Sequence, residues 1–138
     1  MSSPTPPTPP TPPIVERWLE FVGSGDPGRL DELLAEDAVF HSPAVFTPQR
    51  GRAVTKAYLS AAEKLFSGAD FRYVGQWFAE RSAVLEFTAN LDGILVDGVD
   101  MITWNDEDEI VEFKVMIRPF KAIQAVMPRM AELLQQPA

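Results

Sequence analysis

The sequence predicts one α+β domain in which a curved antiparallel sheet wraps over N-terminal helices, with a further helix at the C-terminus. Two observations carry this. Apolar residues recur at helical spacing through the first half of the chain, and from Phe71 to Arg118 the period drops to two and stays there through four runs. Helices gathered at one end and a meander at the other are the mark of an α+β arrangement. Length agrees: the 125 residues from Ile14 to Ala138 are enough for one core and too few for two ordinary domains.

Seven of the first 13 residues are proline, with three Thr-Pro-Pro units between Thr5 and Pro13. Such a segment reads as an extended, disordered Pro/Thr-rich tail over residues 1–13, with the folded domain at 14–138. Ile14, Trp18 and Val22, with Val15 and Leu19, then lie on one face of a first helix, and Gly23 to Gly25 end it. Asp26-Pro27 reads as the start of a second, short helix reaching about Ala35, since the carboxylate can accept free amide protons and proline suits the first turn. Ala38 to Ser42 reads as a strand closed by Pro43. A third helix follows from Gly51, with Val54, Ala57, Tyr58, Ala61 and Leu65 on its apolar face. The four strands are Phe71–Glu80, Ala83–Leu91, Ile94–Trp104 and Ile110–Arg118, with turn chemistry at Asp92-Gly93 and at Asn105 to Asp108. Phe120, Ile123, Met127, Met130 and Leu134 mark the last helix, which Pro128 is expected to kink or restart.

Composition narrows the function. There is no cysteine and one histidine, so a disulfide framework and a thiolate zinc site are excluded and no metal or cofactor is expected. The acidic run Asp106 to Glu109 lacks the spacing and glycine of a calcium loop. Twelve Lys and Arg against 20 Asp and Glu give a net charge of -8, which argues against nucleic-acid and anionic-membrane partners. No apolar run approaches the roughly 20 residues of a membrane span, and the N-terminus lacks a secretory pattern, so a cytoplasmic location is expected.

A curved sheet over helices leaves a concavity, so the inward side chains become the functional question. Ala83, Leu85, Phe87, Ala89 and Leu91 share the core face of their strand, and Val111, Phe113, Val115 and Ile117 that of the last. In the strand between them Asp100 alternates in step with Ile102 and Trp104. If those large residues face inward, a carboxyl group sits among apolar neighbours, where desolvation raises its pKa and lets it donate a hydrogen bond to a carbonyl oxygen. The expected lining is Trp18, Phe40, Ser42, Tyr58, Trp77, Leu85, Phe87, Trp104, Phe113 and Ile117, with Asp100 and Ser42 as polar anchors and Asp100 and His41 as candidate catalytic groups.

Several local strings carry a resemblance: Trp18 to Val22 followed by Gly25-Asp26, Glu36 to Phe40, Gly51-Arg52, and Val99 to Ile102. In these and in its order of elements the chain resembles the superfamily of SnoaL-like, ketosteroid isomerase-like and nuclear transport factor 2-like proteins, which fold as a cone-shaped α+β barrel. Ketosteroid isomerases use an aspartate base on the first strand and an oxyanion hole made of a tyrosine on the first helix and a protonated aspartic acid on a later strand. Carried over, the oxyanion acid looks like Asp100, while the base position falls at Ser42, the tyrosine at Trp18, and supporting tyrosines at Leu34 and Leu59. Small epoxide hydrolases of this fold need two aspartates flanking an arginine, and the corresponding inward positions here read Phe87, Ala89 and Val115. The resemblance therefore implies a protein that binds a small apolar or aromatic molecule. The alternatives are an isomerase, cyclase or hydratase using Asp100 as donor, with His41 or an external group as base, and a non-catalytic dimeric scaffold. The resemblance also implies a homodimer through the outer face of the sheet, with Met101 and Met116 at its centre.

Overall fold

The computed structural model describes residues 10–135. The sequence reading of an extended tail falls mostly on residues 1–9, outside the described residues. The elements are α1 (Pro13–Ser24), α2 (Gly28–Leu33), β1 (Leu34–His41), β2 (Gln49–Arg50), α3 (Arg52–Phe66), β3 (Arg72–Phe78), β4 (Ser82–Leu91), β5 (Ile94–Trp104), β6 (Ile110–Arg118) and α4 (Phe120–Gln135). The architecture is α+β with one curved six-stranded sheet, in the order β2-β1-β6-β5-β4-β3. The sheet is open, with β2 at one edge and β3 at the other.

The meander β3 to β6 is antiparallel throughout, as its turns require. Two features depart from the sequence reading. β1 runs parallel to β6, so the sheet is mixed, and the two-residue β2 pairs with Val39 and Phe40 of β1. Both are pairings between segments far apart or very short, which local periodicity does not encode. β1 also begins at Leu34 rather than Ala38, and α2 stops correspondingly at Leu33.

Helix faces follow the periodicity with a shift of phase. Ile14, Val15, Trp18 and Phe21 of α1 are buried. In α3 the buried positions are Thr55, Leu59 and Ala61, and Ala57 is exposed. The polar Thr55 is accommodated because its hydroxyl donates to the Ala38 carbonyl at 3.2 Å. Along α4 the buried residues are Ala122 and Val126, and Phe120 is 72% exposed. Pro128 does not end that helix, which runs continuously to Gln135. The carbonyl it leaves without an amide donor belongs to Gln124, an exposed residue open to water.

The core has two parts. The first packs α1 and α2 against Ala83, Leu85, Ile102, Trp104, Ile110 and Phe113 of the sheet. The second lies beneath α4 and joins Phe87, Ala89, Leu91 and Val96 to Ala122 and Val126. Tyr73 and Val115 touch both. The seam between the two clusters is where the fold leaves space.

Candidate functional site

That space is a cavity of about 610 Å³ walled by Trp18, Phe21, Phe40, Phe66, Phe71, Phe87, Phe113 and Val115, among others. Its volume falls in the ordinary range for a small-molecule site, and eight of its 20 lining residues are aromatic. α3 contributes Leu59, Ala62, Glu63 and Phe66, at the i, i+3, i+4, i+7 spacing that places four side chains on one helical face. Phe87 and Gly98 pair across β4 and β5, and the Phe87 ring rests on the glycine. A Cβ at Gly98 would come within 2.4 Å of Phe87 Cζ, so the position admits no side chain while the ring stays where it is.

One carboxyl group reaches the cavity from its interior wall. Asp100 is 6% exposed and points inward with Ile102 and Trp104, the register that those large neighbours dictate. Its Oδ2 accepts a hydrogen bond of 2.6 Å from the Tyr73 hydroxyl, whose oxygen in turn accepts one of 3.0 Å from Trp18 Nε1. Burial pushes the Asp100 carboxyl up to about 7, opposed by the Tyr73 hydrogen bond, which favours the charged form. Tyr73 is held well above the usual tyrosine range, first by its own burial and then by the charge of Asp100, so its proton stays in place.

The direction of this chain follows from the chemistry of its members. An indole N–H only donates, so Tyr73 is an acceptor toward Trp18 and its own proton is free for Asp100. Among the described residues no fully buried side-chain N or O lacks a partner. Asp100 Oδ1, which makes no hydrogen bond within the protein, therefore keeps accessible surface, and the cavity is the space beside it. With Asp100 ionised, the network offers the cavity an acceptor. With Asp100 protonated it offers one donor: the acid proton on Oδ1, or, when that proton sits on Oδ2 and is given to Tyr73, the phenol proton instead.

Of the residues singled out in the sequence, Trp18, Phe40, Phe87, Phe113 and Asp100 come together around the cavity. The others stand elsewhere. Tyr58 stacks on the far side of Phe40, with ring centroids 4.8 Å apart. Leu85 and Trp104 face inward but are sealed in the first core cluster under α1 and α2, and Ile117 packs into the second. Trp77 lies on the outer face, 57% exposed, because a bulge between Tyr73 and Gly75 reverses the alternation that would have carried it inside. Ser42 falls past the end of β1, where its hydroxyl accepts the Ala44 amide at 3.2 Å in the turn that Pro43 begins. His41 faces away from the cavity and bonds Glu112 at 2.7 Å in a separate shallow depression with Asp37 and Arg50.

Tyr73 is the member that the sequence reading missed. The signal was present as Phe71 and Tyr73 in alternation, before the bulge interrupts it. Among the described residues no cluster of His, Asp and Glu side chains has the arrangement to hold a metal ion. No helix among them is long and apolar enough to cross a membrane.

The profile of the SnoaL-like domain family matches residues 15–113. A solved structure described as a steroid delta-isomerase from Pseudomonas aeruginosa is 35% identical over 88% of each chain, with a TM-score of 0.83. An uncharacterised protein with a cystatin-like fold from Silicibacter pomeroyi DSS-3 is 32% identical over 87% of this chain and 84% of its own, with a TM-score of 0.80. A nuclear transport factor 2-like protein of unknown function from Mesorhizobium loti is 24% identical over 77% of this chain and 88% of its own, at a TM-score of 0.68, a likeness of fold alone. No curated protein matches the chain.

Proposed function

The chain belongs to the SnoaL-like domain family, and we propose that its cavity binds one small apolar or aromatic molecule and holds an acceptor oxygen of that molecule, such as a ketone carbonyl, at Asp100 and Tyr73. The observation that carries this reading is a buried, hydrogen-bonded acid opening onto an aromatic cavity of about 610 Å³. Apolar walls supply affinity and the single polar station supplies orientation. Calorimetric titration with 2-acetylnaphthalene, a neutral ketone, tests it. Affinity falls about tenfold between pH 6 and pH 8 as Asp100 loses its proton. Asp100→Asn, whose amide donates at both pH values, keeps the affinity and loses the pH dependence. Binding that is absent, or equal at both pH values in the parent protein, contradicts the reading.

A second reading is supported by the relative described as a steroid delta-isomerase. Here the same donor stabilises an enolate formed from a carbonyl substrate, and Glu63, a carboxylate on the cavity wall, carries the proton between carbons. Its test is the absorbance of the conjugated enone formed from a 5-en-3-one steroid. Turnover that Asp100→Leu and Glu63→Gln both abolish supports it, and absence of turnover in the parent protein removes it.

The outer face of the sheet suits a second copy of this chain. His41, Lys114, Met101, Val84 and Trp77 form one row across five strands, and Met116 stands on the neighbouring row, 51% exposed. A mixed face with exposed methionines and a tryptophan is of the kind that a self-complementary contact uses.

A further inference from the structure

The solvent-exposed part of the cavity lining, its mouth, has a consistent electrical character. Its rim is formed by Gly23, Ser24 and Gly25 at the end of α1 and by Phe66, Ser67 and Gly68 at the end of α3. Both are helix C-termini, each carrying the negative end of a helix dipole, close to half an elementary charge. α1 has no basic residue in its last turn. Glu63 reaches from α3 to the turn after α1, so near that a Cβ at Gly25 would lie 3.1 Å from its Oε1. Asp70 adds a second carboxylate, and Arg72 offsets it at 2.9 Å. Lys64, in the last turn of α3, is exposed and does not line the cavity. The ionisable side chains lining the cavity are thus Glu63, Asp70, Asp100 and Tyr73, with no lysine, arginine or histidine among the described residues there.

We propose that the mouth selects ligands by charge, accepting a molecule whose outer end is neutral or carries an ammonium group and rejecting one that ends in a carboxylate, sulfate or phosphate. This rests on the reading of the cavity as a small-molecule site and narrows its substrate class. Hydrophobic ketones and amines fit. Fatty acids, sulfate conjugates and acyl groups still attached to a phosphate-bearing carrier meet two helix C-termini and Glu63, while the cation beside the rim, Arg72, is already held by Asp70. Glu63 is the specificity-determining side chain, because of the two rim carboxylates it is the one without an ion-pair partner among the described residues.

The test uses three probes with one skeleton: 2-acetylnaphthalene, its 6-aminomethyl derivative and its 6-carboxylate, titrated against the parent protein and Glu63→Gln at pH 6.5 with tryptophan fluorescence as readout. The ketone end is common, so differences report the mouth. The ammonium probe binds more tightly than the carboxylate by at least about tenfold in the parent protein, and Glu63→Gln or a rise in ionic strength narrows that ratio. A carboxylate probe that binds as well as the ammonium probe, while the neutral ketone also binds, overturns charge selection and leaves the small-molecule reading standing. Failure of all three probes overturns the small-molecule reading and this inference with it.

Discussion

Asp100 is the one buried carboxyl among the described residues, and its position has a consequence for stability. Its carboxyl is raised from 3.8 to about 7 by burial, so between those values the folded chain holds a proton that the unfolded chain has released. Stability from this group is therefore full below about pH 4 and is lost as pH rises to 7, an effect of about 4 kcal/mol. Urea unfolding at pH 5 and pH 8 checks this: the parent protein loses stability across that interval relative to Asp100→Asn, which has no proton to lose. Equal slopes for the two proteins contradict it. Tyr73→Phe removes the hydrogen bond that favours the carboxylate, so the Asp100 midpoint moves further up, which carbon-13 NMR of the side-chain carboxyl reads directly. The inward direction of Asp100 was legible because Ile102 and Trp104 share its parity and are too large to leave in water. Tyr73 was harder to find, since its strand lies at the sheet edge with mixed residues on both faces.

At the scale of elements, sequence periodicity located all four helices and the whole meander, and gave β5 and β6 with the ends the structure shows. It failed where geometry depends on a single residue or a distant partner. The bulge in β3 turned Trp77 outward, and the phase of α3 slipped because the buried Thr55 reads as polar. The bond from Thr55 to Ala38 ties α3 to β1 beside the shorter one that the Gly51 amide donates to the same carbonyl at 2.7 Å, so Thr55→Val removes the second of two donors and costs roughly 1 kcal/mol in chemical unfolding. The β4–β5 pair holds the cavity floor through the contact of Phe87 with Gly98. Gly98→Ala drives the ring toward the cavity, with a loss of about 1 to 3 kcal/mol and weaker binding of the ketone probe. An unchanged unfolding midpoint would show that the floor has slack that the close approach does not suggest.

For the whole molecule, the arrangement separates two surfaces of one sheet: an inner face whose seam forms the cavity and an outer face of exposed apolar and charged side chains. The α+β architecture with a curved sheet over the helices is what the resemblance implied, while the sheet's two open edges, the parallel β1–β6 pairing and β2 needed the fold itself. If the outer face joins two copies, sedimentation equilibrium at micromolar concentration gives twice the chain mass, and Met116→Glu returns it to one. A single-chain mass for the parent protein contradicts the dimer and leaves the cavity untouched. The cavity is tested most directly by a crystal structure of the protein with 2-acetylnaphthalene at pH 6. The naphthalene is expected between Phe87 and Phe113, with its carbonyl oxygen in hydrogen-bond reach of Asp100 or Tyr73. A ketone found on the outer face, or seated in the cavity with its carbonyl turned away from both, would contradict it.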